Sequence, residues 1–317
     1  MDDVGPLFIG RSSLSMPENS IEKISKQTQL NRIVRRAILL LLVFGCWFGF
    51  AAGEAAAQQL TNGSSGKQIK QLSIDAIPFG KLNEQTRAKL QPVLEKPSIY
   101  RRLPQMAIKC DPDYFRYLVR YPEIIVEIWK LMGVTKMDSQ RAGPWLVETD
   151  DGAGTNSQLE LVYGDSNQHI YYGTGSYAGP LMRKKLGGRC VLVLETRHEI
   201  DEAGKPTAIS QLDVYLKVDN LAAGVIARTL QPLVGSTADH NFIESLKFIE
   251  KLNKTTACNG PGVQLMGERL TLEPTVLRGF QDVAGQTYRR NQQPHGAAAV
   301  EIPRVSSSTD AQSYLTR

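Results

Sequence analysis

The chain has 317 residues, 37 Lys+Arg against 32 Asp+Glu, and a formal net charge of +5. That mild excess, spread over 35.1 kDa, predicts no strong field and excludes the basic footprint of a nucleic-acid-binding protein. Four cysteines without CxxC spacing disfavour a zinc site.

The N-terminal region is compositionally distinct. Arg35-Arg36 leads into the uncharged apolar run Ala37–Ala52, and Ala55-Ala56-Ala57 follows. A positive flank, an apolar core and a small-x-small end make a secretory signal, with cleavage expected after Ala57. As a helix the run would span about 24 Å, short of the ~30 Å hydrocarbon core, although an uncleaved anchor tolerates such mismatch. In that alternative Arg32, Arg35 and Arg36 stay cytoplasmic and the segment holds the chain to the membrane. The expectation is therefore an exported protein, periplasmic or secreted, or a membrane-anchored one. Met1–Leu30 is long for a signal n-region, and Met16 offers a more ordinary start.

Gln58–Lys70 has turn formers and no apolar period, so residues 58–99 are expected to form a flexible tether with one short helix, Asn83–Glu95, shortened or kinked by Pro92. The compact domain is expected over residues 100–256. Leu103–Cys110 alternates as a strand. Asp111 and Pro112 then open a helix as N-cap and first residue, with Tyr114, Phe115, Leu118 and Val119 at helical spacing. After Pro122, the residues Ile124, Ile125, Ile128, Trp129 and Met132 make a second apolar stripe, which Gly133 stops.

Strand patterns follow. Val134–Met137, Trp145–Thr149, Gln158–Tyr163, His169–Tyr177, Arg189–Ile200 and Ile209–Val218 are separated mostly by Gly- and Asp-rich turns. On Arg189–Ile200, Leu192, Leu194, Thr196, His198 and Ile200 share one face, and Glu195, Arg197 and Glu199 form a solvated ion-pair row on the other. Successive hairpins predict an antiparallel sheet with one face covered. Amphipathic helices at Leu221–Leu233 and Ala238–Leu252 supply the cover, with a capping-box pattern at Ser236–Asp239. Residues 257–317 are polar and turn-rich and are expected to be mostly disordered.

The order of strand, two helices, about six strands and a C-terminal amphipathic helix resembles the START-like superfamily of polyketide cyclases and lipid-transfer domains. Ile108–Phe115, Pro122-Glu123, Ile128-Trp129 and Gly133-Val134 carry the resemblance at the start, and Asp219–Leu252 carries it at the end. The resemblance implies an α+β helix-grip fold, a curled antiparallel sheet of six to seven strands around a C-terminal helix, with an apolar cavity or groove between them. Trp129, Trp145, Tyr163, Tyr172 and Tyr177 are the candidate lining residues, set against ordinary core packing.

The sequence carries no HExxH, no GxSxG elbow and no phosphate loop. Gly173-Thr174-Gly175-Ser176 fits a strand bend or bulge. Cys110 and Cys190 are expected as buried thiols. The Arg183-Lys184-Lys185 cluster, with Arg189 nearby, fits a solvated hairpin tip or contact with an anionic membrane. No cofactor is implied. The leading expectation is a non-enzymatic binder of a hydrophobic small molecule or lipid. An envelope interaction module with a filled core is the alternative, and an enzyme of cyclase or hydrolase type, with His198 paired to a buried carboxylate, is the third.

Overall fold

The computed structural model describes residues 57–152, 154–178, 186–201, 204–219 and 233–293. The apolar run 37–52, the basic cluster 183–185 and the helix expected at 221–232 lie outside them. Among the described residues no helix is long and apolar enough to cross a membrane.

The elements are β1 (Gln58–Gln59), α1 (Lys67–Asp75), α2 (Glu84–Glu95), β2 (Ile99–Arg102), β3 (Met106–Lys109), α3 (Pro112–Arg120) and α4 (Glu123–Leu131). Then come β4 (Asp138–Gly143), β5 (Leu146–Asp150), β6 (Thr155–Gly164), β7 (Gln168–Tyr177), β8 (Leu186–Ile200) and β9 (Pro206–Val218). Three helices close the order: α5 (Ala238–Cys258), α6 (Gly260–Gly267) and α7 (Pro274–Gln292). The strands form one antiparallel sheet in the order β1-β3-β9-β8-β7-β6-β5-β4, with β2 also pairing β9. The sheet is curled and unclosed. Its nine strands exceed the expected six to seven because β1 and β2 are short additions at one end.

The opening of the domain follows local chemistry. Asp111 accepts hydrogen bonds from the Asp113 and Tyr114 amides at 3.0 and 3.1 Å, and Pro112 sits at the first helical position. The strand expected at Val134–Met137 forms later, as β4 at Asp138–Gly143. The helix α5 begins without a side-chain cap from Thr237. A π-helical turn, Leu233–Thr237, leads directly into it. The start of α5 is held instead by the ion pair of Arg101 with Asp239.

Residues 58–99 are not a tether. β1 pairs with β3, and α2 packs on the outer face of the sheet. The cause is that β7 and β8 are apolar on both faces, so both faces need cover. Leu90, Val93 and Leu94 of α2 meet Ile170, Val191, Val193 and Tyr215 in a second core. Residues 257–293 are likewise helical rather than disordered. Val276, Phe280 and Ala284 make a buried stripe at i, i+4 spacing, and Phe280 lies 6.1 Å, ring to ring, from Tyr114. Arg290 of α7 pairs with both Asp111 and Asp113, at 2.6 and 2.8 Å.

Candidate functional site

The two faces of β7 and β8 differ in how they are sealed. On the outer face, Ile170, Val191 and Val193 are 0% exposed beneath α2. On the inner, concave face, their neighbours Tyr171, Leu192 and Leu194 keep 6–7% exposure in the middle of the domain. Leu159 and Leu161 on β6 and Leu212 on β9 keep 6–8% as well. Val214 and Leu216 of β9 are closed to 2–3%. Side chains in a close-packed interior do not touch solvent in a contiguous patch. Over β7 and β8 the concave face is thus packed slightly less tightly than the stretch of the outer face beneath α2. The helices α3, α4 and α5 contribute Leu118, Ile124, Phe242 and Leu246 to the same concave-side core.

Along β8 the concave face changes character toward the rim. Leu192 and Leu194 give way to Thr196 and His198, the face expected from the sequence. The Thr196 hydroxyl lies 3.2 Å from that of Ser210 on β9. His169 on β7 stands opposite Leu194. Arg116 and Arg120, one turn apart on α3, face this rim. Arg120 donates from Nε to His169 Nε2 at 3.2 Å, and the ring of Phe115 lies edge-on to His198 at 6.0 Å.

The electrostatics of the rim follow from burial beside these guanidinium groups. Burial, then the charge of Arg120, pushes His169 down to about 3. Burial, then Arg116, lowers His198 as well. Both imidazoles are neutral at pH 7. Because His169 Nε2 accepts from Arg120, its proton sits on Nδ1, which is buried without a hydrogen-bond partner among the described atoms. Arg116 Nε and His198 Nδ1 share that condition. The pairing of His198 with a buried carboxylate is not formed. The other end of the concave face has hydroxyls, with Thr149 and Ser157 2.6 Å apart.

The five aromatic candidates do not converge on one site. Trp129 joins the concave-side core, its ring 5.5 Å from Phe248. Trp145 packs at the edge of that core, 6.0 Å from Tyr121. Tyr177 shares the face of Tyr171 by strand alternation. Tyr163 and Tyr172 lie on the outer face in the α2 core, because a bulge between Leu161 and Tyr163 turns Tyr163 outward. The Tyr163 hydroxyl donates to Asp165 at 2.7 Å, and Lys89 sits over the Tyr172 ring. β7 runs without a bulge through Gly173, where a Cβ would meet Cys190 Sγ at 2.5 Å, so close approach explains that glycine. Cys110 and Cys190 are free and buried, and Cys258 is exposed. Among the described residues no His, Cys, Asp and Glu side chains converge as a metal set.

Arg116, Arg120 and His169 carried no role in the sequence reading. The signal present was two arginines four apart on a helix whose positions after Asp113 are otherwise aromatic or aliphatic.

A curled, unclosed antiparallel sheet with a long C-terminal helix across its concave side defines an α+β helix-grip domain. No family model and no curated protein matches the chain. Solved structures do. A conserved protein from Geobacillus kaustophilus aligns over 48% of this chain and 93% of its own, at 15% identity and TM-score 0.35. DynU16, a putative protein of the dynemicin biosynthetic locus, aligns over 49% of this chain and 46% of its own, at 11% identity and TM-score 0.29. The di-domain ARO/CYC BexL of the BE-7585A biosynthetic pathway aligns over 51% and 52%, at 12% identity and TM-score 0.27. The chain thus spans about half the length of DynU16 and of BexL.

Proposed function

We propose that the domain binds an apolar small molecule or lipid between the concave face of the sheet and α3–α5. The observation that supports this reading is the contrast across β7 and β8, with Ile170, Val191 and Val193 at 0% exposure on the outer face and Tyr171, Leu192 and Leu194 at 6–7% on the concave one. Removing apolar ligand surface from water there would contribute about 25 cal/mol per Å². The same contrast favours a binder over an interaction module with a filled core. Solvent extraction of the purified full chain, followed by mass spectrometry, tests it. A stoichiometric apolar compound supports the reading. Clean extracts, together with no uptake of an apolar fluorescent probe, refute it. Export of this binder rests on the composition of residues 35–57, and N-terminal sequencing of the mature protein tests that separately.

A further inference from the structure

We infer that the Arg116–Arg120–His169–His198 rim is an oxyanion site, which takes the carboxylate or phosphate head of an amphipathic ligand whose apolar part lies on the adjoining concave face. This rests on the binding proposed above and names the chemical class of the ligand.

The site has donors without acceptors. Arg116 Nε and His169 Nδ1 are buried donors, and His198 Nδ1 is a buried ring nitrogen, with no hydrogen-bond partner among the described atoms. A buried donor left unsatisfied is costly, and two among neighbouring residues call for an acceptor with more than one oxygen. They are neighbours on α3's contact with the sheet: Arg120, one turn from Arg116, meets His169 at 3.2 Å, and Phe115, next to Arg116, packs on His198 at 6.0 Å.

Nearby carboxylates do not neutralise the site. Asp165 offers Arg120 only its backbone oxygen, at 3.4 Å. Its carboxylate instead accepts from Tyr163 and from the Asn167 and Gln168 amides. Asp113, which lies 3.3 Å from Arg116, is held more closely by Arg290 at 2.8 Å. Asp111 is likewise held by Arg290, at 2.6 Å. Arg120, with no carboxylate partner in hydrogen-bond reach among the described residues, is left to an incoming anion. Guanidinium groups suit that role because their donors form a fixed fork.

The location fits an amphiphile. Leu192, Leu194, Thr196 and His198 follow one another on the concave face of β8, so the polar rim continues the apolar floor without a break. His169 lies directly across from Leu194, at the junction.

The test uses the full chain and two fluorescent probes of one carbon skeleton, cis-parinaric acid and its methyl ester. The acid is expected to bind at least about tenfold more tightly than the ester, the scale of a hydrogen bond to a charged group. In Arg116→Gln/Arg120→Gln the acid-to-ester ratio falls toward one. Arg120→Lys, which keeps charge but loses the fork, retains part of it. Thermal melts confirm that each variant is folded, and Lys89→Gln, on the outer face, is the control. Displacement of the bound acid by oleate or by an oleoyl lysophosphatidate identifies which oxyanion is preferred. Equal binding of acid and ester, or a ratio that survives the double substitution, overturns the inference while leaving the groove in place. Failure of both probes removes the groove and the oxyanion site together.

Discussion

His169 makes the stability of this domain depend on pH in a direction opposite to that of a paired histidine. Its folded pKa is about 3, against 6.5 for the free side chain, because burial and Arg120 both oppose the imidazolium. Below pH 6.5 the unfolded chain takes up a proton at this site that the folded chain refuses. Stability is therefore full above about pH 6.5, falls as the pH drops, and reaches its full loss near pH 3. One pH unit inside that window is worth about 1.4 kcal/mol. Between pH 7 and pH 5 the loss attributable to His169 is about 2 kcal/mol, since most of the first half-unit precedes titration of the unfolded state. Urea unfolding of the wild type and His169→Gln at both pH values isolates it. The substitution has its own offset at pH 7, so the informative quantity is the difference between the two pH slopes. That difference is expected near 2 kcal/mol. If both proteins lose the same stability between pH 7 and 5, His169 is not held neutral by its surroundings and the electrostatic account of the rim fails.

Other consequences are open to direct measurement. On the proposed binding mode, Leu194→Trp, which adds bulk on the concave face, should lower apolar probe uptake at least tenfold while the fold persists by circular dichroism. Phe280→Ala should cost about 3–5 kcal/mol in chemical denaturation, the scale for an aromatic removed from a core, whereas a disordered tail would show no change. Gly173→Ala drives a methyl group into Cys190 Sγ and should cost about 1–3 kcal/mol by overpacking. Gly173→Ala combined with Cys190→Ala should recover part of that loss. Among Cys110, Cys190 and Cys258, a thiol reagent should modify only Cys258 in the native protein, because burial raises the other two thiols.

Features set by neighbours in sequence were legible before the structure. Asp111-Pro112 marks a helix start, the Gly- and Asp-rich turns mark the hairpins, and strict alternation placed Leu192, Leu194, Thr196 and His198 on one face. The fold class followed from their order. What depended on distant partners was not legible. Val191 and Val193 were apolar positions on the face assigned to solvent, and only α2, a hundred residues earlier, explains them. That run of four apolar residues, Val191-Leu192-Val193-Leu194, was the available sign of a sheet covered on both sides. The stripe Val276, Phe280 and Ala284 was similarly present inside a polar stretch. Tyr163 was assigned by composition, and one bulge in β6 sent it to the opposite face from Tyr171. The rim was hidden for a different reason. Arg116, Arg120 and His169 come from two elements, and an unsatisfied donor is defined by its surroundings, which the sequence does not display.

The grip of Arg290 on Asp111 joins residues 179 positions apart. Its consequence belongs to synthesis. While the chain emerges from the ribosome, α2 and the hairpins can assemble the outer core from residues already made. The helix α3, which Asp111 caps, cannot receive its final anchor until the last described helix has appeared. The concave-side core, to which Val276, Phe280 and Ala284 belong, is therefore the last part of the described domain to be completed.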